Sequence, residues 1–312
     1  MVRFSQCPLC EHRSLRTLTT PQKWIGLEVF APYKVELGLS QCRSCRYIFC
    51  NPQLEQNILD LFYQGNTYTC HQYNNPGRID RHKVSFVLSI LEKHSGPLKN
   101  RKLLDFGCGG GNFLKSAQEA GWQVTGFDIG QRSMRSCHEL SLNATDRFED
   151  LVGGNFDFIS LNHVFEHVAD FHGLLESLKK ILSSSGKLFI EVPNALSLRA
   201  KLSAPVLVRR FNFDERYRGY PIHLSYFSKP SLEKLFKVHG FNIEVLTTCG
   251  LGLEELIDAR PSDNQHQSDS KESHSRPLNS NSTPGWLKQM FKERYFGAGW
   301  GENIIAVISP RA

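Results

Sequence analysis

The stretch Leu103-Leu104-Asp105-Phe106-Gly107-Cys108-Gly109-Gly110-Gly111-Asn112-Phe113-Leu114 reads as a short buried strand that breaks into a glycine-rich turn and re-enters as a helix. Glycine at such a turn lets a ligand approach the backbone more closely than a Cβ permits, and it tolerates positive φ. The amides that open the following helix then face the ligand with their hydrogens unsatisfied. The surrounding spacing sharpens this signal. Asp105 precedes the turn, and Asp128 closes a second apolar run, Val124-Thr125-Gly126-Phe127-Asp128. An acid about 20 residues after the turn stands at the end of the next parallel strand, where it can hydrogen-bond ribose hydroxyls.

Outward from this stretch the chain alternates strand and helix. Strands are predicted at 102–106, 123–128, 143–148, 156–161 and 187–192, with helices over 113–120, 133–140 and 174–182 between them. Ser228-Lys229-Pro230 opens a further helix with Ser228 as N-cap, and 241–248 and 303–309 read as two last strands. The alternation argues for an α/β fold with a doubly wound, mostly parallel seven-stranded sheet, whose ligands bind beyond the carboxyl ends of the strands. Ahead of it, Val84, Val87, Leu88 and Leu91 have the spacing of an amphipathic helix that ends near Gly96-Pro97. The polar and aromatic segment 51–77, with Tyr63, Tyr68 and Tyr73, either folds over a ligand or packs the N-terminal region onto the main domain.

Two interruptions stand out. Segment 195–222 is rich in arginine and aromatic residues, including Arg199, Arg209, Arg210, Phe211, Phe213 and Tyr217. It reads equally as a substrate-covering lid or as a solvated surface insertion. Segment 261–283 is dominated by Ser, Asn, Asp, Gln, His and Lys, and reads as a disordered insertion that buries too little surface to order itself. After it, Trp286, Met290 and Phe291 mark a short helix.

The 312 residues allow one large domain with a small appendage, and 40% hydrophobic with 22% charged residues is an ordinary globular balance. No apolar run approaches a membrane span, and the first residues lack the apolar core of a secretory signal, so a cytoplasmic location is the expectation. A formal charge of +6 permits an anionic substrate without demanding nucleic acid. Four of nine cysteines form two pairs, Cys7-Pro8-Leu9-Cys10 and Cys42-Arg43-Ser44-Cys45. Two such pairs can present four thiolates to one structural zinc; a redox dithiol would need a strand-to-helix junction that neither has. The other cysteines (Cys50, Cys70, Cys108, Cys137 and Cys249) read as packing or turn residues. The expected division is a zinc-ribbon-like module over 1–52, a connecting segment over 53–98 that covers the site, and the main domain over 99–312.

The glycine run, Gly107-x-Gly109-x-Gly111, misses the third glycine of a dinucleotide site and lacks the Gly-Lys-Ser/Thr of a P-loop. Asp105-x-Gly107-x-Gly109-x-Gly111 resembles the first motif of the class I S-adenosylmethionine-dependent methyltransferases. Asp128 matches their ribose-binding acid, and Phe156-Asp157-Phe158-Ile159 followed by Asn162-His163-Val164-Phe165-Glu166-His167-Val168 resembles their fourth-strand motif. Glu191-Val192-Pro193-Asn194, His223-Leu224-Ser225-Tyr226-Phe227-Ser228 and the cysteine pairs followed by Asn51-Pro52 are similar to a subgroup with an N-terminal zinc module. The resemblance implies a Rossmann-like fold and S-adenosylmethionine as methyl donor. Asp105, Gly107, Gly109 and Gly111 would surround its methionine end, Asp128 would hold the ribose, Asp150 the adenine, and Asn162 and His163 the sulfonium region.

A sulfonium methyl is already activated, so the protein must place a nucleophile in line and, for an oxygen acceptor, supply a base. His223 is the candidate base, weighed against an ordinary structural histidine; His167 reads as a residue that bonds backbone. His163-x-x-Glu166-His167 also matches a peptidase zinc pattern, but that pattern needs a helix and here follows a strand. No Asn/Asp-Pro-Pro-Tyr/Phe segment and no Pro-Cys nucleophile of base-modifying enzymes is present. The expected acceptor is a small molecule of sugar, glycan or secondary-metabolite class, methylated on oxygen or carbon. RNA is the alternative, since zinc ribbons bind it, and a non-catalytic scaffold is a third reading.

Overall fold

A computed structural model describes residues 1–23, 36–64, 87, 89–90, 92–93, 100–198, 200, 222–250 and 298–311. The predicted helix over 84–91 (apart from Val87, Ser89 and Ile90), Tyr68 and Tyr73, most of segment 195–222, the polar stretch 261–283 and Trp286, Met290 and Phe291 lie outside the described residues.

In chain order the elements are β1 (Leu15–Lys23), β2 (Glu36–Cys42), β3 (Ile48–Cys50), α1 (Gln56–Gln64), β4 (Lys102–Phe106), α2 (Asn112–Glu119), β5 (Gln123–Phe127), α3 (Gln131–Glu139), β6 (Ala144–Thr145), β7 (Phe156–Asn162), α4 (Phe171–Ile181), β8 (Leu182–Pro193), β9 (Ser225–Tyr226), α5 (Lys229–Val238), β10 (Phe241–Cys249) and β11 (Asn303–Pro310). Single 3-10 turns lie at Phe148–Leu151 and Phe165–His167. The main sheet has seven strands in the order β10-β11-β8-β7-β4-β5-β6. Strands β8, β7, β4, β5 and β6 are parallel, and β11 runs antiparallel between β8 and β10.

Both faces of this sheet are covered, which explains why its strands are near-continuous apolar runs. The period of two sorts their side chains. Leu104, Ile159, Ile190, Ile304 and Ala306 point to the face packed by Leu175 and Leu178 of α4 and by Leu235 and Phe236 of α5. Their neighbours Leu103, Phe158, Phe189, Ile305 and Val307 share a core with Leu114 and Ala117 of α2, Cys137 of α3 and Val87. Strand order reverses at β4, whose chain neighbour β5 lies on one side and β7 on the other. A crevice at such a switch point is where ligands of doubly wound sheets bind.

The strands at 102–106, 123–128 and 156–161 agree with the predictions to within a residue, and the helix over 133–140 begins slightly earlier, at Gln131. The third predicted strand is much shorter than 143–148. Only Ala144 and Thr145 pair with β5, because Thr145 Oγ1 then accepts the amide of Arg147 and turns the chain away. Helix α1 was not anticipated within 51–77. Its Ile58, Leu59 and Phe62 are buried against Leu54 and Leu224.

The N-terminal residues form a second, four-stranded antiparallel sheet, β1-β2-β3-β9. Its last strand comes from the main domain. Tyr47, Phe49 and the main-domain rings Phe165, Phe171 and Phe227 are all buried in one cluster, with Tyr47 stacked on Phe49 at 5.5 Å and Phe165 on Phe227 at 5.2 Å. Tyr47 also hydrogen-bonds Ser225 of β9 through its hydroxyl. Among the described residues no helix is long and apolar enough to cross a membrane.

Candidate active site

A cavity of about 600 Å³ opens at the carboxyl ends of β4, β5 and β7, under α1. The glycine turn forms one wall. Gly107, Gly109 and Gly111 all have positive φ, at 81°, 52° and 79°. A Cβ on Gly107 would lie 2.3 Å from Cγ2 of Val164, so any other residue here is strained in conformation and forces Val164 to shift. The amides of Gly107 and Cys108 donate to the carbonyl of Phe127, tying the turn to the end of β5. Asp128 completes the tie: Oδ2 accepts from the Gly109 amide at 2.9 Å and Oδ1 from the Gly130 amide at 2.8 Å. Gly107, Gly109 and Asp128 line the cavity.

Asp105 and Gly111 stand behind this wall. Asp105 is buried and accepts a 2.6 Å hydrogen bond from Ser160 Oγ across the β4–β7 pair, while Gly111 caps α2. Asp150 lies apart. It is exposed and accepts from Thr145 Oγ1 at 2.6 Å.

The opposite wall follows β7. Asn162 lines the cavity with its Oδ1 buried and without a hydrogen-bond partner. His163 is held at φ 54°, in the left-handed region, by its amide donating to Glu191 O. A non-glycine residue in that conformation is strained and is found preferentially at functional sites. Its imidazole lies 3.5 Å from Glu166 Oε1 and 3.4 Å from Glu191 Oε1. Burial works against its charge, but the two carboxylates outweigh this and raise its pKa to about 9.

Glu166, His167 and His223 complete this wall. The backbone joins them, since the Leu224 amide donates to Glu166 O at 2.9 Å and so brings a residue 56 positions away beside His167. The His167 and His223 rings meet edge to face at 4.6 Å. Burial, reinforced by His167 and His163, pushes the pKa of His223 down to about 4, so it presents a neutral imidazole at neutral pH. Burial likewise lowers His167. Tyr63 of α1 reaches His167 Nδ1 with its hydroxyl at 2.8 Å. The sequence points to Tyr63 only as one of three tyrosines in a segment that folds over a ligand or packs the N-terminal region, and gives Glu166 no role in the site; the helical spacing of Leu54, Ile58 and Phe62 is the available signal for α1.

At the far side of the N-terminal sheet, Cys7, Cys10, Cys42 and Cys45 converge. Their sulfurs all lie within 4.8 Å of one another, with Cys7–Cys45 at 3.7 Å and Cys10–Cys42 at 3.6 Å. A tetrahedral set at a zinc–sulfur distance of about 2.3 Å requires sulfurs about 3.8 Å apart. The two loops are built alike. The amide four residues after the first cysteine donates back to its carbonyl (Glu11 to Cys7, Arg46 to Cys42), and Glu11 and Arg46 both take positive φ.

The sequence profile of the family described as "Methyltransferase domain" matches residues 78–246, more than half of the chain. The chain belongs to this family. Its methyltransferase domain is similar to the ubiquinone biosynthesis O-methyltransferase of Idiomarina loihiensis, 31% identical over 124 residues that cover 36% of this chain and 51% of that protein. It is also similar to the C-methyltransferase NovU of Streptomyces niveus, 24% identical over 247 residues that cover 74% of this chain and 53% of that protein. The chain thus spans about half the length of these relatives. A solved S-adenosylmethionine-dependent methyltransferase from Archaeoglobus fulgidus aligns over 72% of this chain and 93% of its own, with 18% identity and a TM-score of 0.46.

Proposed function

We propose that this protein transfers a methyl group from S-adenosylmethionine to a small-molecule acceptor of sugar, glycan or secondary-metabolite class, on oxygen or carbon. The observation that carries this reading is the cavity, with the glycine turn and Asp128 on one wall and a neutral, half-buried histidine, His223, on the other. In this assignment Gly107 and Gly109 take the methionine end of the donor against their backbone, with Asp105 and Gly111 holding the turn from behind. Asp128 has lone pairs left for ribose hydroxyls after its two backbone bonds. Asn162 and His163 flank the sulfonium. Asp150 remains the proposed adenine contact, reached from the rim near β6.

Transfer forms a bond between the acceptor's lone pair and the methyl carbon while the carbon–sulfur bond breaks, and the acceptor's proton passes to a base. His223 offers its lone pair at that wall. The names of the two relatives include both an O- and a C-methyltransferase, which supports keeping both acceptor atoms. We also assign a structural zinc to Cys7, Cys10, Cys42 and Cys45, in a module spanning 1–52 that is joined through 53–98 to the catalytic domain at 99–312.

Calorimetry with S-adenosylmethionine tests the donor, and transfer of labelled methyl to a metabolite extract against total RNA tests the acceptor. Saturable donor binding with label in the metabolite fraction is expected. Label in RNA alone would move the acceptor to nucleic acid, donor binding without any transfer would favour a scaffold, and no binding at millimolar donor would sink the proposal.

A further inference from the structure

We propose that Cys108 and Cys137 form a redox-active dithiol behind the glycine turn, whose closure to a disulfide displaces the turn and weakens binding of S-adenosylmethionine. Their sulfurs stand 3.8 Å apart, in contact but unbonded. Cys108 belongs to the turn itself, between the cavity-lining Gly107 and Gly109, and Cys137 to the last turn of α3.

Three observations set this pair apart from two thiols that merely pack. The first is convergence on one residue of the cavity wall. Cys137 Sγ lies 3.7 Å and Cys108 Sγ 4.0 Å from the carbonyl oxygen of Gly109, the residue whose amide Asp128 accepts.

The second is the asymmetry of the two thiols. The hydrogen bond from Cys108 holds the Cys137 thiol below its ordinary range, against its burial and the nearby Asp128 and Asp105. The same bond, together with burial, raises Cys108 well above that range. A thiolate beside a protonated thiol lets one sulfur attack an oxidant and the other resolve the product.

The third is the fit around the sulfurs. A Cβ on Gly126, inside β5, would lie 2.8 Å from Cys108 Sγ and 2.6 Å from Leu114 Cδ1. One on Gly111 would lie 3.1 Å from Cys137 Sγ and 2.7 Å from Leu142 Cδ1. A disulfide brings its sulfurs to about 2.05 Å, so the pair closes by about 1.7 Å. In so close-packed a setting the movement passes to the backbone. The turn is the softer partner, since α3 is held by its own helical bonds.

The two residues are buried, at 4% and 0% exposure, so the oxidant is water-sized, a hydroperoxide, and reaches them by local opening. The Cys137 thiolate attacks a peroxide oxygen, the O–O bond breaks, and a sulfenic acid and hydroxide form. The hydroxide takes up the proton that Cys137 released. The Cys108 sulfur then displaces the sulfenic hydroxyl, which leaves as water with the Cys108 proton, and the S–S bond forms. The two thiols lose two electrons, and hydrogen peroxide is reduced to two waters. The disulfide stands on the geometry of the pair; its effect on the donor rests on the methyl-transfer reading.

The test treats the full, zinc-loaded chain with hydrogen peroxide, alkylates the remaining thiols and maps the peptides without reduction. A linked pair carrying Cys108 and Cys137, two hydrogens lighter than its parts, is expected. S-adenosylmethionine affinity in calorimetry should fall roughly tenfold and return with dithiothreitol. Cys137→Ala, shown to be folded by near-ultraviolet circular dichroism, should keep its affinity after the same treatment. Absence of the linked pair overturns the proposal, as does a linked pair with unchanged affinity. Equal loss in the folded variant, or loss that tracks zinc release, does the same. If the reduced chain binds no S-adenosylmethionine, the donor reading fails by itself. The peptide map then decides the dithiol together with hydrogen exchange at 107–111, which the disulfide should speed several-fold and which would overturn the displacement if unchanged.

Discussion

Gly107 and Gly109 show how much one backbone position can decide. Both have positive φ, and Gly107 additionally faces Val164 so closely that a single added carbon collides with it. Gly107→Ala should therefore destabilise the fold by about 1–3 kcal/mol, measurable as a lowered urea midpoint. Gly109→Val is expected to act differently. It places a branched side chain at the cavity wall where the donor's methionine end is assigned, and it strains the amide that Asp128 accepts. Donor binding should vanish in calorimetry while zinc content stays at one per chain. Equal donor affinity in wild type and variant would show that the ligand lies elsewhere. These glycines were legible because a strand, a turn and a helix impose a local spacing. Glu166 was not, because a burial cost without hydrogen bonds arises only from what surrounds a side chain.

Element by element, local signals worked where an element carries its own boundaries. Ser228 accepts the Ser231 amide, and the Ser231 hydroxyl accepts the Ser228 amide, so α5 opens on a reciprocal cap followed by Pro230. Ser228→Ala removes half of that cap from a buried position, and unfolding in urea should record a loss of about 1 kcal/mol. A change below a few tenths would mean that packing of Leu232 and Phe236 alone holds the helix start. Strand β6 illustrates the opposite case. Within 143–148 only the Thr145 hydroxyl, which turns the chain at Arg147, limits the pairing to two residues, and that turn has no strong sequence signature. Helix α1 escaped for a related reason: its buried face meets Leu224, which lies far away in the chain, while Gln56, Asp60 and Tyr63 look into the cavity.

Across the whole molecule, the two sheets are coupled through β9. Cys50 donates its amide to Leu224 O at 2.9 Å and its thiol to His223 O at 3.1 Å, directly beside the β3–β9 pairing. The cysteine cluster at the end of β2 is linked through β3 to the backbone of His223 and Leu224. If it holds zinc, then Cys42→Ser or chelation should loosen this sheet and lower methyl transfer on the order of 10–100-fold. Donor affinity should change little, because the glycine turn and Asp128 are built on the other sheet strands. Unchanged turnover after complete zinc loss would separate the module from catalysis.

The order of strands and helices around the main sheet, the glycine turn, the capped helix and the pairing of cysteines were readable in the chain, because each is written in residues near one another. Periodicity of two and local turn chemistry act within a few positions, and a parallel sheet covered on both faces leaves a long apolar run for each strand. The composition of the cavity's second wall was decided only by the folded chain. Tyr63, Glu166 and His223 are brought together by a backbone bond, a helix packed on a distant leucine and a strand lent by one sheet to another. Hydrogen bonds and burial between residues so far apart have no local signature, and the protonation of the site's histidines follows from that enclosure and from the carboxylates it brings beside them.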